Sequence, residues 1–209
     1  MTEGEVRERG QVTGLTKGRV EALTDGIFAF AMTLLVTTID FPSSNMVLPP
    51  LTLDRLVSFY SPDLLQYVIA FAVLAGFWIT HHNHFHYIRA MDRTALWINI
   101  ACLLFVALVP FSTALAGDYP DTPLASIVFE GNLLIIGLLI FIIWNYATVE
   151  RRLVERSLDE KVVRLQARRS LIIPGISAIG ILLATAGSTW SVAVYILSVP
   201  ILLAIERSS

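Results

Sequence analysis

The residues best placed for chemistry in this chain are ionisable and hydroxyl side chains set in apolar sequence. The run 19–39 carries Arg19, Thr24 and Asp25 near its start and Thr37 near its end. As an α-helix, the uncharged residues after Asp25 would cover only about 21 Å of a hydrocarbon core of about 30 Å. The charged start must therefore enter the membrane, where ionisable groups pair with one another or face protein or water.

One face of this predicted helix could line a pore. Its members recur three and four residues apart and so share one side of a helix: Ile27, Phe30, Leu34, Thr37 and Phe41. Bulky side chains there would form a hydrophobic constriction, and the hydroxyls of Thr37 and the flanking Thr38 would meet a partly dehydrated cation. Alternatively, the face packs against other helices and Thr37 bonds to a carbonyl one turn back.

All four histidines lie within six residues, in the segment Trp78-Ile-Thr-His-His-Asn-His-Phe-His86. His82 and His86 are four apart, which could serve a zinc ion, but a tetrahedral site needs more ligands. Axial haem ligation usually needs two facing helices, and no other apolar segment carries a histidine. Polar pairing with Asp25 and Asn99, which fall at the same depth, is the favoured interpretation.

Glu130 stands alone near the outer part of another apolar segment. Proton-coupled transport would use an isolated intramembrane carboxyl of this kind. Alternatively, the side chain reaches the interface or bonds to a neighbouring helix. The residues alone leave both interpretations open.

The composition predicts an integral membrane protein, and the lack of enzyme motifs predicts that it is not an enzyme. Of 209 residues, 55% are hydrophobic and only 15% are charged, and the mean hydropathy is +0.68. The single cysteine, Cys102, excludes an internal disulfide. The sequence shows no glycine-rich phosphate loop, Cys-x-x-Cys pair or serine elbow. The polar first 18 residues do not resemble a cleavable signal peptide.

Six spans are predicted from the apolar runs, which are 19–40, 64–88, 94–117, 124–149 and a long run, 170–205, divided at 186–189. The loop 41–63 contains four prolines and could carry a short helix. Pro110 should kink the third span, with Ser112 and Thr113 satisfying freed backbone groups. Six spans place 14 of the 15 Lys and Arg residues on one side and only Arg55 on the other, so both termini are predicted to be cytoplasmic.

The segment 150–169 is the one long charged stretch between spans. Its apolar residues recur at helical spacing, and Glu160 and Arg164 are four apart. We expect a cytoplasmic helical connection between the fourth and fifth spans. A second interpretation is that its arginines bind anionic lipid.

Two stretches resemble the transmembrane-protein-175 family, potassium channels of endolysosomes with bacterial relatives. Arg19-Val-Glu-Ala-Leu-Thr-Asp25-Gly resembles the Arg-x-x-x-Phe-Ser-Asp signature that opens the family's first helix, and the following Ile-Phe-Ala-Phe-Ala-Met-Thr-Leu-Leu-Val resembles its continuation. The family's helices 2 and 3 resemble this chain at Trp78, His81, Asn99 and Pro110-Phe-Ser-Thr113.

The resemblance implies a channel without the carbonyl filter of ordinary potassium channels, built as a homotetramer with four copies of helix 1 around the axis. Its hydrophobic pore positions fall on Phe30, Leu34 and Thr37. Phe30 stands where isoleucine is usual and Thr37 where leucine is common, so a hydroxyl ring replaces an apolar one. We therefore expect only a modest preference for potassium over sodium.

The family's signature Arg, Ser and Asp fall on Arg19, Thr24 and Asp25. These residues are implied to hold helix 1 in place through polar contacts with other helices. The implied partners are Trp78, His81 and Asn99.

The sequence therefore predicts an all-α membrane protein in which 1–209 form one six-helix channel domain, with 1–18 as a polar cytoplasmic N-terminus. The predicted function is a potassium-permeable cation channel of a bacterial inner membrane, with Asp40 raising the cation concentration at its outer mouth. We expect no cofactor, no metal and no nucleic-acid partner, only potassium, membrane lipid and copies of the chain. The alternatives are a proton-coupled transporter using Glu130 or Asp25 and a histidine-based metal or redox protein.

Overall fold

The fold is all-helical, as predicted. The computed structural model describes residues 16–39, 53–187 and Tyr195, with only the backbone at 53–60. Its α-helices are α1 Lys17–Leu34, α2 Leu53–Tyr87, α3 Arg93–Ala107, α4 Val109–Asp118, α5 Pro123–Thr148, α6 Glu160–Ser170 and α7 Ile172–Thr185. Short 3₁₀ turns follow α1 and α5, at Leu35–Thr38 and Val149–Arg151.

Five helical stretches in the described part of the chain are long and apolar enough to cross a membrane. They are Lys17–Thr38, Ser61–Tyr87, Arg93–Asp118, Pro123–Arg151 and Glu160–Thr185. The fifth ends at Thr185, next to the predicted break, and Gly187 adopts a positive φ of 79° there. Apart from Tyr195, the predicted sixth span lies outside the described residues.

One stripe of the helix α1 is buried in the protein, and the opposite stripe is exposed in the described subunit. We call the exposed side the open stripe, or open face, of α1. The buried stripe repeats every three or four residues, as Val20, Thr24, Phe28, Ala31 and Leu35. With its 3₁₀ turn, the 22-residue stretch spans about 35 Å, enough to cross a hydrocarbon core of about 30 Å. Thr24 and Asp25 therefore lie within this candidate membrane-crossing segment.

The second helix is longer than predicted at its outer end. Residues 53–63, expected as part of a loop with a separate short helix, instead continue without a break into the span, giving 35 residues that include Pro62. Proline is tolerated in membrane helices because neighbouring groups satisfy the freed backbone. The rest of the expected loop lies outside the described residues.

The third span is interrupted near Pro110, where the sequence predicts a kink. The helix breaks at Leu108, and Pro110 sits in the first turn of α4, where its missing N–H does no harm. The expected role of the neighbouring hydroxyls is only partly right. Ser112 and Thr113 both donate to the Val109 carbonyl, at 3.1 and 2.8 Å, rather than to the carbonyl four residues before the proline.

The centre of the described bundle is α5, which packs against α3, α4, α6 and α7. Glycines let α5 and α7 approach closely. A β-carbon at Gly137 would lie 2.3 Å from Pro174 Cγ, and one at Gly180 would lie 2.4 Å from the Glu130 carboxyl carbon. In contrast, α1 packs on α2, α3 and α4.

The connection after α5 is not the continuous helix that the sequence predicts. Glu150 and Arg151 both adopt a φ of 54°, so the chain turns sharply. Leu153 and Val154 are then buried against the end of α2, where the Arg89 amide donates to the Leu153 carbonyl at 2.8 Å. Burial of these apolar side chains outweighs the helical pattern, and helix resumes only at Glu160.

The predicted Glu160–Arg164 pair does not form either. The Glu160 carboxylate instead accepts from Arg151 at 2.5 Å, because the turn brings that guanidinium back over the start of α6. Among the described residues, Arg164 donates to the backbone carbonyl of Glu160. The Asp159 carboxylate caps α6 by accepting from the Lys161 amide at 2.8 Å.

We predict that Gly137→Ala destabilises the protein by about 1–3 kcal/mol, because its methyl group would force α7 away from α5. The matched control is Gly131→Ala, on the same helix, where a β-carbon meets nothing within 4 Å. Thermal unfolding of the purified protein in detergent should show a lower Tm for Gly137→Ala alone. Equal Tm values for the two variants would contradict the close approach of these helices.

Candidate functional site

The open face of α1 carries the predicted pore residues. Phe30 is 65% exposed and Thr37 is exposed, whereas Leu34 and Ile27 are half-buried at the edges of the same face. Thr38 lies nearer the buried stripe and is also half-buried. The described subunit therefore leaves a mostly apolar strip of α1 uncovered, with hydroxyls toward one end.

The hydroxyls on this face are held by the backbone of α1 itself. Thr37 donates to the Leu34 carbonyl at 2.7 Å, and Thr38 donates to the Leu35 carbonyl at 2.8 Å. This is the backbone bond expected from simple packing, yet it does not exclude a role in conduction. A hydroxyl that donates its hydrogen keeps oxygen lone pairs, and these are what a cation needs.

Thr33 belongs to this face and was missed by the sequence analysis. It is exposed, and its hydroxyl donates to the carbonyls of Phe30 and Ala29, at 2.8 and 3.1 Å. Its position is three residues after Phe30 and four before Thr37. That spacing could have identified it, but the adjacent Leu34 fitted the apolar pattern better.

A chain of hydrogen bonds fixes the buried side of α1. His81 Nε2 donates to Asn99 Oδ1 at 2.8 Å, and Asn99 Nδ2 donates to Thr24 Oγ1 at 3.1 Å. All three side chains are almost fully buried, so each depends on the others for its polar contacts. The chain ties α1, α2 and α3 together through residues that the sequence analysis named as partners.

Asp25 makes a separate contact beside this chain. Its Oδ1 accepts from Trp78 Nε1 at 2.9 Å, and the Trp78 ring stacks on His82 with centroids 5.5 Å apart. Asp25 itself is exposed in the subunit. The predicted partnership of Asp25 with α2 is therefore present, through a tryptophan rather than a histidine.

Arg19 is not part of the network within the described subunit. Its side chain is exposed and makes no hydrogen bond or ion pair with a described residue. The neighbouring pair is instead Lys17 and Glu21, whose charged atoms lie 3.4 Å apart. Arg19 therefore lies on the open face of α1, one helical turn before Leu23 in the sequence.

An open cavity of about 210 Å³ lies between α1 and α2 at this level. Its lining is Glu21, Thr24, Asp25, His81, His82 and Phe85. Five of these six residues are polar, so the recess gives the ionisable side chains a polar environment beside α1.

The four histidines do not form one cluster. His81 faces α1 and stacks on Phe85, whereas His84 stacks on Trp144 of α5 with centroids 4.5 Å apart. His82 and His86 are exposed. Within the described residues, no three His, Cys, Asp or Glu side chains form a group that could hold a metal ion.

Glu130 is completely buried, so it does not reach the interface. Its Oε2 accepts a hydrogen bond from the hydroxyl of Tyr195, whose oxygen is also 2.8 Å from Ser177 Oγ. The second carboxyl oxygen has no hydrogen-bond partner among the described residues. Of the alternatives from the sequence, the interfacial position is wrong, a hydrogen bond within the protein is observed, and the proton-transport interpretation stays open.

Comparisons with known proteins identify the family. The profile of the family described as "Endosomal/lysosomal potassium channel TMEM175" matches residues 19–110. A potassium channel of Chamaesiphon minutus is 32% identical over 162 residues, which are 76% of this chain and 79% of that protein. A potassium channel of Streptomyces collinus is 37% identical over 102 residues, 49% of this chain and 48% of that protein.

The solved structures include a similar fold. The crystal structure of a lysosomal potassium-selective channel TMEM175 homolog from Chamaesiphon minutus covers 90% of this chain and 97% of its own, with a TM-score of 0.73 and 28% identity. This chain therefore belongs to the TMEM175 family of ion channels.

Proposed function

We propose that this chain forms a potassium-permeable cation channel whose pore is lined by α1. The observation that carries the proposal is the two-sided character of α1. One stripe is buried by α2, α3 and α4, and the opposite stripe presents Phe30, Leu34 and Thr37. The relatives named above are potassium channels, which supports potassium as the permeant ion.

A pore of this kind needs several copies of α1, and we propose a homotetramer. Four copies of α1 around a common axis would cover the open stripe that one subunit leaves bare. Phe30 and Leu34 would then form apolar rings that restrict water, with Thr37 and Thr33 supplying oxygen rings. A ring of four hydroxyls replaces less of the hydration shell than stacked carbonyls do, so we expect modest discrimination against sodium.

The distribution of charge supports the proposed orientation. The ends of α2 and α5 and the starts of α1, α3 and α6 gather at one end of the bundle, together with every described Lys and Arg except Arg55. We call this the basic end and assign it to the cytoplasm of a bacterial inner membrane. With a sixth span after the break at 186–189, both termini lie on the cytoplasmic side. Residues 1–209 then form one six-helix domain.

The direct test is the reversal potential of the purified protein in a planar bilayer, with potassium on one side and sodium on the other. Discrete currents that reverse toward the potassium equilibrium potential would support the proposal. An intact oligomer that passes no current, or passes flux coupled to a proton gradient, would contradict it. The second outcome would favour the transporter that the sequence left open.

We predict that Leu34→Ala increases single-channel conductance, because it removes bulk from the narrowest apolar ring. The matched control is Leu35→Ala, one residue away on the buried stripe. That change should lower stability by about 2–5 kcal/mol without widening the pore. Unchanged conductance in Leu34→Ala, at equal amounts of protein in the membrane, would count against the pore assignment.

We predict that Thr37→Val lowers the potassium-to-sodium permeability ratio, because it removes the hydroxyl ring and keeps the side-chain shape. The control is Thr80→Val on α2, which removes a hydroxyl that also bonds to its own helix, at Gly76. Bi-ionic reversal potentials measure both variants. A ratio in Thr37→Val equal to that of the wild type would exclude Thr37 from ion contact.

We predict that Asp25→Ala impairs assembly or gating, because Trp78 loses its acceptor. Asp25→Asn keeps an oxygen at that position and should be milder. The Trp78→Phe background isolates the contact, since Asp25→Ala should then add little. Size-exclusion profiles and open probability report the two effects, and a fully active, stable Asp25→Ala channel would remove the contact from the account.

A further inference from the structure

A row of exposed basic side chains leads directly into an exposed apolar row. Lys161, Arg164 and Arg168 lie three and four residues apart and are all exposed on one face of α6. We call these three residues the basic stripe. Only Leu171 separates α6 from α7, and its backbone keeps right-handed helical dihedral angles.

The apolar row continues this face along α7. Leu171 is exposed, Ile179 is 50% exposed and Leu182 is 69% exposed. The stretch Glu160–Thr185 has 26 residues and is about 39 Å long, which exceeds a hydrocarbon core of about 30 Å. If Thr185 marks the far boundary, about 20 residues of helix place the near boundary close to Leu165, between Arg164 and Arg168, at the level of the lipid headgroups.

The basic stripe keeps its charge, because the nearby carboxylates have other partners. Glu160 is bound by Arg151, and Asp159 caps the start of α6. Glu155 pairs with Arg89 at 2.7 Å. No carboxylate among the described residues pairs with Lys161, Arg164 or Arg168.

The position of α7 in the bundle places this face away from the proposed pore. It packs mainly on α5, whereas α1 packs on α2, α3 and α4. If α1 lines the axis, α7 lies on the outer side of the subunit, in contact with lipid. The basic stripe then faces the headgroups of the leaflet at the basic end.

We propose that this face binds an anionic phospholipid, whose phosphate contacts the basic stripe and whose acyl chains lie along Leu171, Ile179 and Leu182. A phospholipid satisfies both halves of the surface, because it joins an anion to two apolar chains. A soluble anion would use the charges and leave the apolar row without a function. The inference needs α7 to face lipid but does not depend on which ion the channel conducts.

The test is native mass spectrometry of the full-length protein in neutral detergent, titrated with phosphatidylglycerol or phosphatidylcholine. The wild type should prefer phosphatidylglycerol. Arg164→Gln with Arg168→Gln should weaken phosphatidylglycerol binding about thirtyfold, since each basic residue near an anionic surface contributes about fivefold. Arg164→Lys with Arg168→Lys keeps both charges and should retain most of the preference.

The matched control is Arg93→Gln with Arg156→Gln, which removes two exposed charges of the basic end outside the stripe. It should change phosphatidylglycerol binding no more than about twofold. Equal losses in the control and the stripe variant would overturn the site and leave only general attraction to the basic end. Displacement of the lipid by excess inorganic phosphate would overturn the proposal that the ligand is a phospholipid, and it would assign the basic stripe to a free anion.

Discussion

Thr24, Asn99 and His81 must satisfy one another's hydrogen bonds, because all three side chains are almost fully buried among the helices. An unsatisfied polar group costs several kcal/mol in such surroundings. This constraint fixes the rotation of α1 about its axis. Because α1 can turn in only one way, its buried stripe and its open stripe are both determined.

The open stripe follows from the same fixed rotation. With Thr24 bonded to Asn99, the positions half a turn away point out of the subunit, and these include Phe30, Thr33 and Thr37. The described residues of one subunit leave this strip uncovered, and in our proposal its mixed apolar and hydroxyl character provides a narrow path for a cation. The polar chain and the proposed pore are thus two sides of one helix.

Local patterns in the sequence predicted which residues share a face of α1, and long-range packing accounts for the contacts that they missed. The helical spacing of Phe30, Leu34 and Thr37 predicted that they share one face. The expected depth of Thr24 in the membrane predicted its hydrogen-bond partners. The sequence could not show that Leu153 and Val154 would be buried against α2. This burial replaces helix over residues 150–159 of the expected helical connection. It also could not show that Arg151 would form an ion pair with Glu160, or that Tyr195 would donate a hydrogen bond to Glu130. Each of these contacts depends on how distant elements pack.

Cysteine accessibility tests the central claim most directly, because the only native cysteine, Cys102, is buried. A positively charged methanethiosulfonate reagent should block current through Thr37→Cys channels, whose side chain lies on the open stripe. Leu35→Cys channels, altered on the buried stripe, should keep their current. Block of Leu35→Cys with none in Thr37→Cys would show that α1 faces the pore with its other side, and would contradict the account.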